Sequence, residues 1–135
     1  MEIDGQCHCG QIRYRGVIDP GKVAMCHCTD CQSLSGSAFR TVAFTEPDAF
    51  ELLQGTIKTY IKTAESGNPR EQGFCPDCGS AIYATAPGDG PKVYGLRVGT
   101  ITQRTELAPK RQVWRRSALP WIDHIGEVPT IERQP

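Results

Sequence analysis

Seven cysteines fall into three tight groups, Cys7-His8-Cys9, Cys26-His27-Cys28-Thr29-Asp30-Cys31 and Cys75-Pro76-Asp77-Cys78. Thiolates are soft ligands, and four of them in a tetrahedron, at about 2.3 Å each, satisfy zinc, an ion with no geometric preference of its own. Cysteines one or two residues apart in a turn can reach the same ion. Cys75 and Cys78, followed by Gly79, are the strongest local pair, because the glycine lets the backbone turn tightly and lets amide N–H groups approach the sulfurs. Cys7 and Cys9 can complete that site from the other end of the fold. Four thiolates leave no open coordination position, so this grouping predicts a closed, structural zinc. It would clip residues 7–9 to residues 75–79 across a long loop.

Cys26, Cys28 and Cys31 remain. Structural zinc sites have four protein ligands, whereas three ligands leave a position for water or substrate, as catalytic zinc sites do. Two other readings of the three stay open. In one, His27 or His8 is a fourth ligand that closes the site, although a residue flanked by ligand cysteines in an extended segment projects away from the metal they share. In the other, the three thiols are a redox or reactive cluster without metal.

The elements that must position these groups are short. At 135 residues the chain fits one domain with a modest core, expected over residues 1–125, with a surface tail over 126–135 that carries two prolines and little apolar content. Residues 1–10 read as a loop closing on Gly10. A strand follows around Ile12, Tyr14 and Val17, ended by the turn signal Asp19-Pro20-Gly21, and a strand at Lys22–Met25 delivers the chain to Cys26. Thr29–Ser35 reads as a short helical turn capped by Thr29 or Asp30 and ended by Gly36. Ala38–Phe44 reads as a strand that Glu46-Pro47-Asp48 breaks, with one helical turn able to begin there. Phe50–Gln54 and Thr56–Thr63 are two further strands around Gly55, Glu65–Arg70 is a polar loop, and Ala81–Ala86, Val93–Val98 and Gln112–Arg115 complete the set, with Thr105–Ala108 between the last two left unassigned. Short strands at close spacing with Gly and Pro punctuation predict a mainly β fold, a sandwich or open barrel.

Fifteen basic residues balance fifteen acidic ones, so net charge points to no nucleic-acid partner, although Arg104, Lys110, Arg111, Arg115 and Arg116 make the last third locally basic. No apolar run approaches the roughly 18 residues of a membrane span, and the first residues lack the basic and apolar segments of a signal peptide. The expectation is a cytoplasmic chain with no membrane partner, where clustered cysteines bind metal more often than they form disulfides.

Gly5-Gln6-Cys7-His8-Cys9-Gly10, then Cys26-His27-Cys28-Thr29-Asp30-Cys31 with Gly36-Ser37-Ala38-Phe39, then Phe74-Cys75-Pro76-Asp77-Cys78-Gly79-Ser80, resemble the family of glutathione-dependent formaldehyde-activating enzymes and centromere protein V. Val113-Trp114 followed by Ser117 and Pro120-Trp121 is similar to that family's closing pattern, so the likeness runs from about residue 5 to residue 121. The resemblance implies a β-tent of stacked short antiparallel sheets around zinc sites. By position, Cys7, Cys9, Cys75 and Cys78 match the family's structural zinc ligands, and Cys26, Cys28 and Cys31 its catalytic ones. It also implies a carbon–sulfur lyase acting on S-hydroxymethylglutathione, the adduct of glutathione and formaldehyde. One departure stands out: after Gly99 many relatives carry acidic residues, where this chain has Thr100-Ile101-Thr102-Gln103-Arg104.

Zinc on three thiolates can take a small thiol as its fourth ligand, and coordination deprotonates a thiol. Residues of suitable type for the accompanying roles are His124, Tyr83, Tyr94 and Glu71 for proton transfer, Arg40, Arg97 or Arg104 for substrate carboxylates, and Trp114 and Trp121 for a pocket wall. Packing or exposure is the competing role for each. Two further functional readings remain, a zinc-stabilised module that binds a protein, and a redox sensor or metal buffer.

Overall fold

Side chains along a strand alternate between two faces, and this alternation organises the computed structural model, which describes residues 1–134. The elements in chain order are β1 (Glu2–Gln6), β2 (Arg13–Ile18), β3 (Ala24–Cys26), α1 (Thr29–Ser35), β4 (Arg40–Gln54), β5 (Lys58–Thr63), β6 (Pro69–Phe74), β7 (Ala81–Thr85), β8 (Gly95–Arg97) and β9 (Arg111–Val113). Short 3-10 turns, the last at Ile122–Glu127, make up much of the remainder. The fold is mainly β, as expected. Hydrogen bonds join β1-β2-β4-β8-β7-β6-β5 into one antiparallel path with two ends, while β3 pairs with β4 on one side and, in parallel, with β9 on the other.

Register sorts the residues of this sheet. Ala43 sits opposite Leu96, Leu96 opposite Tyr83 and Tyr83 opposite Gly73, and on that face Ala43, Leu96 and Tyr83 are buried with Ile3, Ile12, Tyr14, Ile18, Val23 and Ile82 in one apolar core. Phe50, Tyr83 and Tyr94 pack there as an aromatic trio with ring centroids 4.7 to 5.5 Å apart. One residue along each strand lies the opposite face. Cys26 is opposite Arg40, Ala24 opposite Val42, Val42 opposite Arg97, Phe44 opposite Gly95, Gly95 opposite Ala84 and Ala84 opposite Gln72.

Four expectations need correction. The polar loop expected over Glu65–Arg70 is shorter than that, because Pro69–Phe74 forms β6, a strand not expected there, paired with β5 from Pro69 opposite Thr63 to Phe74 opposite Lys58. Residues 1–10 are not all loop: Glu2–Gln6 forms β1, paired with β2 from Glu2 opposite Val17 to Gln6 opposite Arg13. Only Ile3 in that stretch is a strongly β-prone residue, so the strand owes its existence to its partner rather than to its own propensity. Glu46-Pro47-Asp48 does not break β4, which continues to Gln54. The proline falls where β4 gains β2 as a partner through a register shift between Gly16 and Ile18, a bulge position where a missing N–H is tolerated. Asp48, at φ 55°, completes the irregularity, and its N–H and carboxylate both bond to Lys92. Finally, neither Thr29 nor Asp30 caps α1. Cys28 does, its Sγ accepting from the Cys31 N–H at 3.2 Å.

Gly36 ends α1 at φ 63° as expected, the left-handed conformation that glycine adopts without strain. Residues 126–134 are exposed, and Pro135 lies outside the described residues. Among the described residues no helix is long and apolar enough to cross a membrane.

The closest approach in the sheet is at Gly5, directly opposite Tyr14 and bridged on its other side to Ile101. The Tyr14 ring lies across it, its hydroxyl 2.7 Å from Thr100 Oγ1. A Cβ at Gly5 would sit 2.4 Å from that ring and 2.5 Å from the Thr100 carbonyl oxygen. Gly5→Ala is therefore expected to destabilise the fold by about 1–3 kcal/mol through overpacking, read as a lower midpoint in urea unfolding. A midpoint equal to that of the parent would show that the ring is free to swing away.

Candidate functional site

Two groups of sulfurs form. The Sγ atoms of Cys7, Cys9, Cys75 and Cys78 all lie within 4.8 Å of one another, and so do those of Cys26, Cys28 and Cys31. Among the described residues no histidine, aspartate or glutamate joins either group. Every cysteine is a free thiol.

The quartet is built by two turns. Cys7 donates its N–H to the Ile12 carbonyl and Gly10, at φ 81°, donates back to Cys7, while Cys75 donates to Ser80 and Gly79, at φ 77°, donates to Cys75. The Cys7 to Cys9 separation of 3.6 Å and the Cys9 to Cys75 separation of 3.8 Å are far beyond a disulfide bond of about 2.05 Å. They match the edge of a tetrahedron, about 3.8 Å, that follows from metal–sulfur bonds of about 2.3 Å. The sulfurs also collect donors. The Ile12 N–H reaches Cys7 Sγ at 3.2 Å, and the Ser80 hydroxyl, with the backbone N–H groups of Cys9 and Ser80, holds Cys78 down at about 5. Thiolates supported by N–H and O–H donors are what a bound cation requires, and this donor set fits zinc. The His8 N–H bonds to Ser80 Oγ at 3.0 Å, and Gln11 Nε2 bonds to the Asp77 carboxylate, so the two turns are also tied to each other directly.

The trio is assembled differently. Cys26 ends β3, Cys28 caps α1 and Cys31 lies in the first turn of that helix. The Gln32 side-chain amide locks the arrangement, donating at 2.9 Å both to the His27 carbonyl and to the Ser117 carbonyl. His27 points away from the sulfurs, as alternation predicts. It is fully buried, with its Nε2 2.7 Å from Gln112 Oε1 and its ring 5.7 Å from that of Phe39. Cys31 is held down at about 5, first by its hydrogen bond with Cys26 and then by the Arg40 guanidinium beside it, while Cys26 is pushed up by the same sharing with Cys31 and by burial. Three sulfurs in mutual reach, beside a cation, also fit zinc, here with three protein donors.

The trio opens onto a cavity of about 290 Å³ whose floor is the second face of the sheet. Ala84 and Gly95 at its centre are small, so the long side chains of Arg40, Arg97, Arg70 and Gln72 reach across it from the surrounding strands. Trp114 forms part of the wall, in the left-handed conformation at φ 57° and with the Arg116 guanidinium 5.1 Å from its ring centre. Lys62 is there too, paired with Asp30 at 2.8 Å. Of the residues singled out by type, Arg40, Arg97 and Trp114 line this cavity. Tyr83 and Tyr94 belong to the aromatic trio, with the Tyr83 hydroxyl donating to Glu71 at 3.0 Å. Arg104 bonds to the Ile101 carbonyl, His124 pairs with Glu127 at the surface, and Trp121 is exposed. Arg70 and Gln72 were missed, although their spacing of two along a strand was the signal that they share a face.

A sequence profile of the glutathione-dependent formaldehyde-activating enzymes matches residues 2–117. A Halomonas elongata protein, whose name assigns it provisionally to the same enzymes, is 30% identical over 91 residues, covering 64% of this chain and 58% of that protein. A Schizosaccharomyces pombe protein, named an uncharacterised lyase, is 27% identical over 82 residues, covering 61% and 56%. The matched stretch thus spans little more than half the length of these curated relatives. A crystal structure of a Rhodobacter sphaeroides protein shares the fold, with a TM-score of 0.60 at 17% identity over 81% of this chain and 98% of that one.

Gln32→Ala would free two carbonyls at once, one in the cysteine segment and one in the C-terminal segment. The expected cost is about 1–3 kcal/mol in urea unfolding, with hydrogen exchange accelerated around His27 and Ser117. Unchanged exchange at both would show that the amide is dispensable.

Proposed function

The chain belongs to the glutathione-dependent formaldehyde-activating enzyme family, and from that premise we propose that it is a zinc-dependent carbon–sulfur lyase. Its substrate is the adduct of a small thiol of the glutathione type with an aldehyde, S-hydroxymethylglutathione being the pattern. The observation that carries the reading is the division of the sulfurs, four in one group anchored in the core by Cys7 and Cys75 and three facing a basic cavity. Cys7, Cys9, Cys75 and Cys78 are the ligands of a structural zinc, and Cys26, Cys28 and Cys31 those of a catalytic one.

When bound by three thiolates, zinc supplies a position for one more sulfur and favours the thiolate form of whatever thiol arrives. The protein supplies the rest. Arg40, beside Cys31, offsets the negative charge of the sulfur cluster. Arg97 and Arg70 give the cavity a positive potential that attracts a carboxylate-bearing thiol. Trp114 and the sheet floor hold the adduct carbon against the sulfurs and limit its contact with water. As the carbon–sulfur bond breaks, its electron pair returns to sulfur, the carbonyl forms and the hydroxyl proton leaves. Neither a carboxylate nor a histidine lines this cavity, but Asp30 and Glu65 line the adjoining hollow that shares Cys28, Lys62 and Trp114 with it, and water carries the proton toward them. The reverse sequence makes the adduct.

Native mass spectrometry should count two zinc ions per chain, and one after Cys28→Ala. That variant should lose adduct turnover, followed by exchange NMR of the thiol and aldehyde, yet melt within about 5 °C of the parent, since the structural loss is a helix cap worth about 1 kcal/mol. Cys75→Ala, by contrast, should lower the melting point far more by opening the clip. If Cys28→Ala collapsed the fold and the parent had no turnover to lose, the protein would be a zinc-stabilised binding module. A parent with a single zinc and fast oxidation of Cys26, Cys28 and Cys31 would instead make it a redox or metal-buffering protein.

A further inference from the structure

The floor of the cavity holds more positive charge than the chain around it balances. Arg40 and Arg97 are each more than nine-tenths buried, and both donate an Nη2 hydrogen to the same acceptor, Gln72 Oε1, at 3.3 and 2.9 Å. Their Nε groups and the Gln72 Nε2 have no partner. Among the described residues no carboxylate lies within ion-pair distance of Arg40, Arg70 or Arg97. Two guanidiniums pressed side by side out of water repel each other and lose hydration, a costly arrangement unless an anion joins them. The sulfur trio, at one net negative charge when it holds a divalent ion and an adduct whose sulfur is still bonded to carbon, can offset only one of them, through Arg40. Arg97 is left over, and the half-buried Arg70 adds to the surplus farther out.

Place decides which anion fits. A carboxylate of a glutathione-type thiol is separated from its sulfur by peptide backbone, so with the sulfur at the trio it extends toward the cavity mouth, where Arg70 lies. Arg40 touches the trio itself and Arg97 shares its acceptor. An anion there must be attached next to the reacting carbon. We propose that Arg40, Arg97 and Gln72 form a carboxylate subsite for the carbonyl half of the adduct, so that this chain handles thiol adducts of an aldehyde bearing its own carboxylate in preference to those of formaldehyde.

This rests on the lyase reading and refines it. In the reaction the bond between sulfur and the carbon carrying both hydroxyl and carboxylate breaks, the pair stays on sulfur, the hydroxyl proton leaves and a 2-oxo acid of the aldehyde type departs. No oxidant or reductant is needed. The consequence is a double recognition. The thiol is held by sulfur and by outer cations, and the carbonyl compound is held by the buried arginines in a bidentate manner.

The zinc-loaded protein would be given glutathione with glyoxylate or with formaldehyde, and interconversion followed by exchange NMR. In parallel, the arginine Nε–H signals of nitrogen-labelled protein would be titrated with glycolate, an unreactive carboxylate. The expected result is a kcat/KM for the glyoxylate adduct at least about tenfold above that for the formaldehyde adduct, with saturable glycolate shifts at two buried Nε–H signals. In Arg97→Gln, and less in Arg97→Lys, the ratio should fall roughly 10- to 100-fold, the scale of a lost charge-assisted bond. Turnover of the formaldehyde adduct alone, or absence of saturable shifts in the parent, would overturn the subsite and leave the lyase reading standing. Glycolate binding with turnover of neither adduct would sink the lyase reading, and the assignment of the subsite to an adduct with it.

Discussion

A β-strand can show only alternate side chains to each of its two faces, and in this protein that rule separates a dry side from a charged one. Over β4, β8 and β7 one face is apolar and packed, Ala43 on Leu96 on Tyr83, while the residues next to these along the strands form, with Gln72 of β6, the floor that carries the cations, Val42 and Arg97, Gly95 and Ala84. A slip of one residue in any of these pairings would push an arginine into the core and an apolar residue onto the floor. The core therefore fixes the register, and the register places the cations beside Cys26, Cys28 and Cys31. Stability and chemistry are set by the same hydrogen-bond ladder.

The two sulfur groups divide labour along this boundary. Cys7 and Cys75 are members of the apolar core, and their turns join the start of the chain to its middle, so an ion held by the quartet would act as a covalent-like tie closing a long loop. The trio instead joins a strand end to a helix cap, elements that already lie next to each other. Little loop entropy is gained there, so the ordering of the trio has to come from hydrogen bonds such as those of Gln32 and from the pairing of β3 with β4 and β9. A group held in place by its neighbours, not holding them, can lose a ligand without taking the fold along.

What could be read from the chain beforehand follows from range. The cysteine groups and the turn at Gly79 were legible because their information is local: two sulfurs two or three residues apart, and a glycine where the backbone must reverse. The mainly β character was legible for the same reason. β1 was not, since one β-prone residue in five carries no pattern and only the facing strand makes Glu2–Gln6 extend. Pro47 looked like a stop because a proline in a strand usually is, and the bulge that tolerates it is a property of β2 and β4 together. The cap of α1 escaped notice because sulfur is rarely assigned that duty. Arg40 and Arg97 were picked by type, but their contact through Gln72 spans three strands, and no spacing in the sequence encodes it.

The depth of the cavity depends on two side chains that are nearly absent, Ala84 and Gly95. They differ in how freely they could change. A methyl group at Gly95 would meet Val42 Cγ1 at 2.9 Å and force its neighbours apart, so that position is fixed by architecture. Ala84 faces the cavity from the middle of β7, and swapping it for valine or leucine would fill the hollow with hydrocarbon while the backbone stayed put. Evolution, or an engineer, thus has one adjustable stop with which to shorten or lengthen the molecules this scaffold admits.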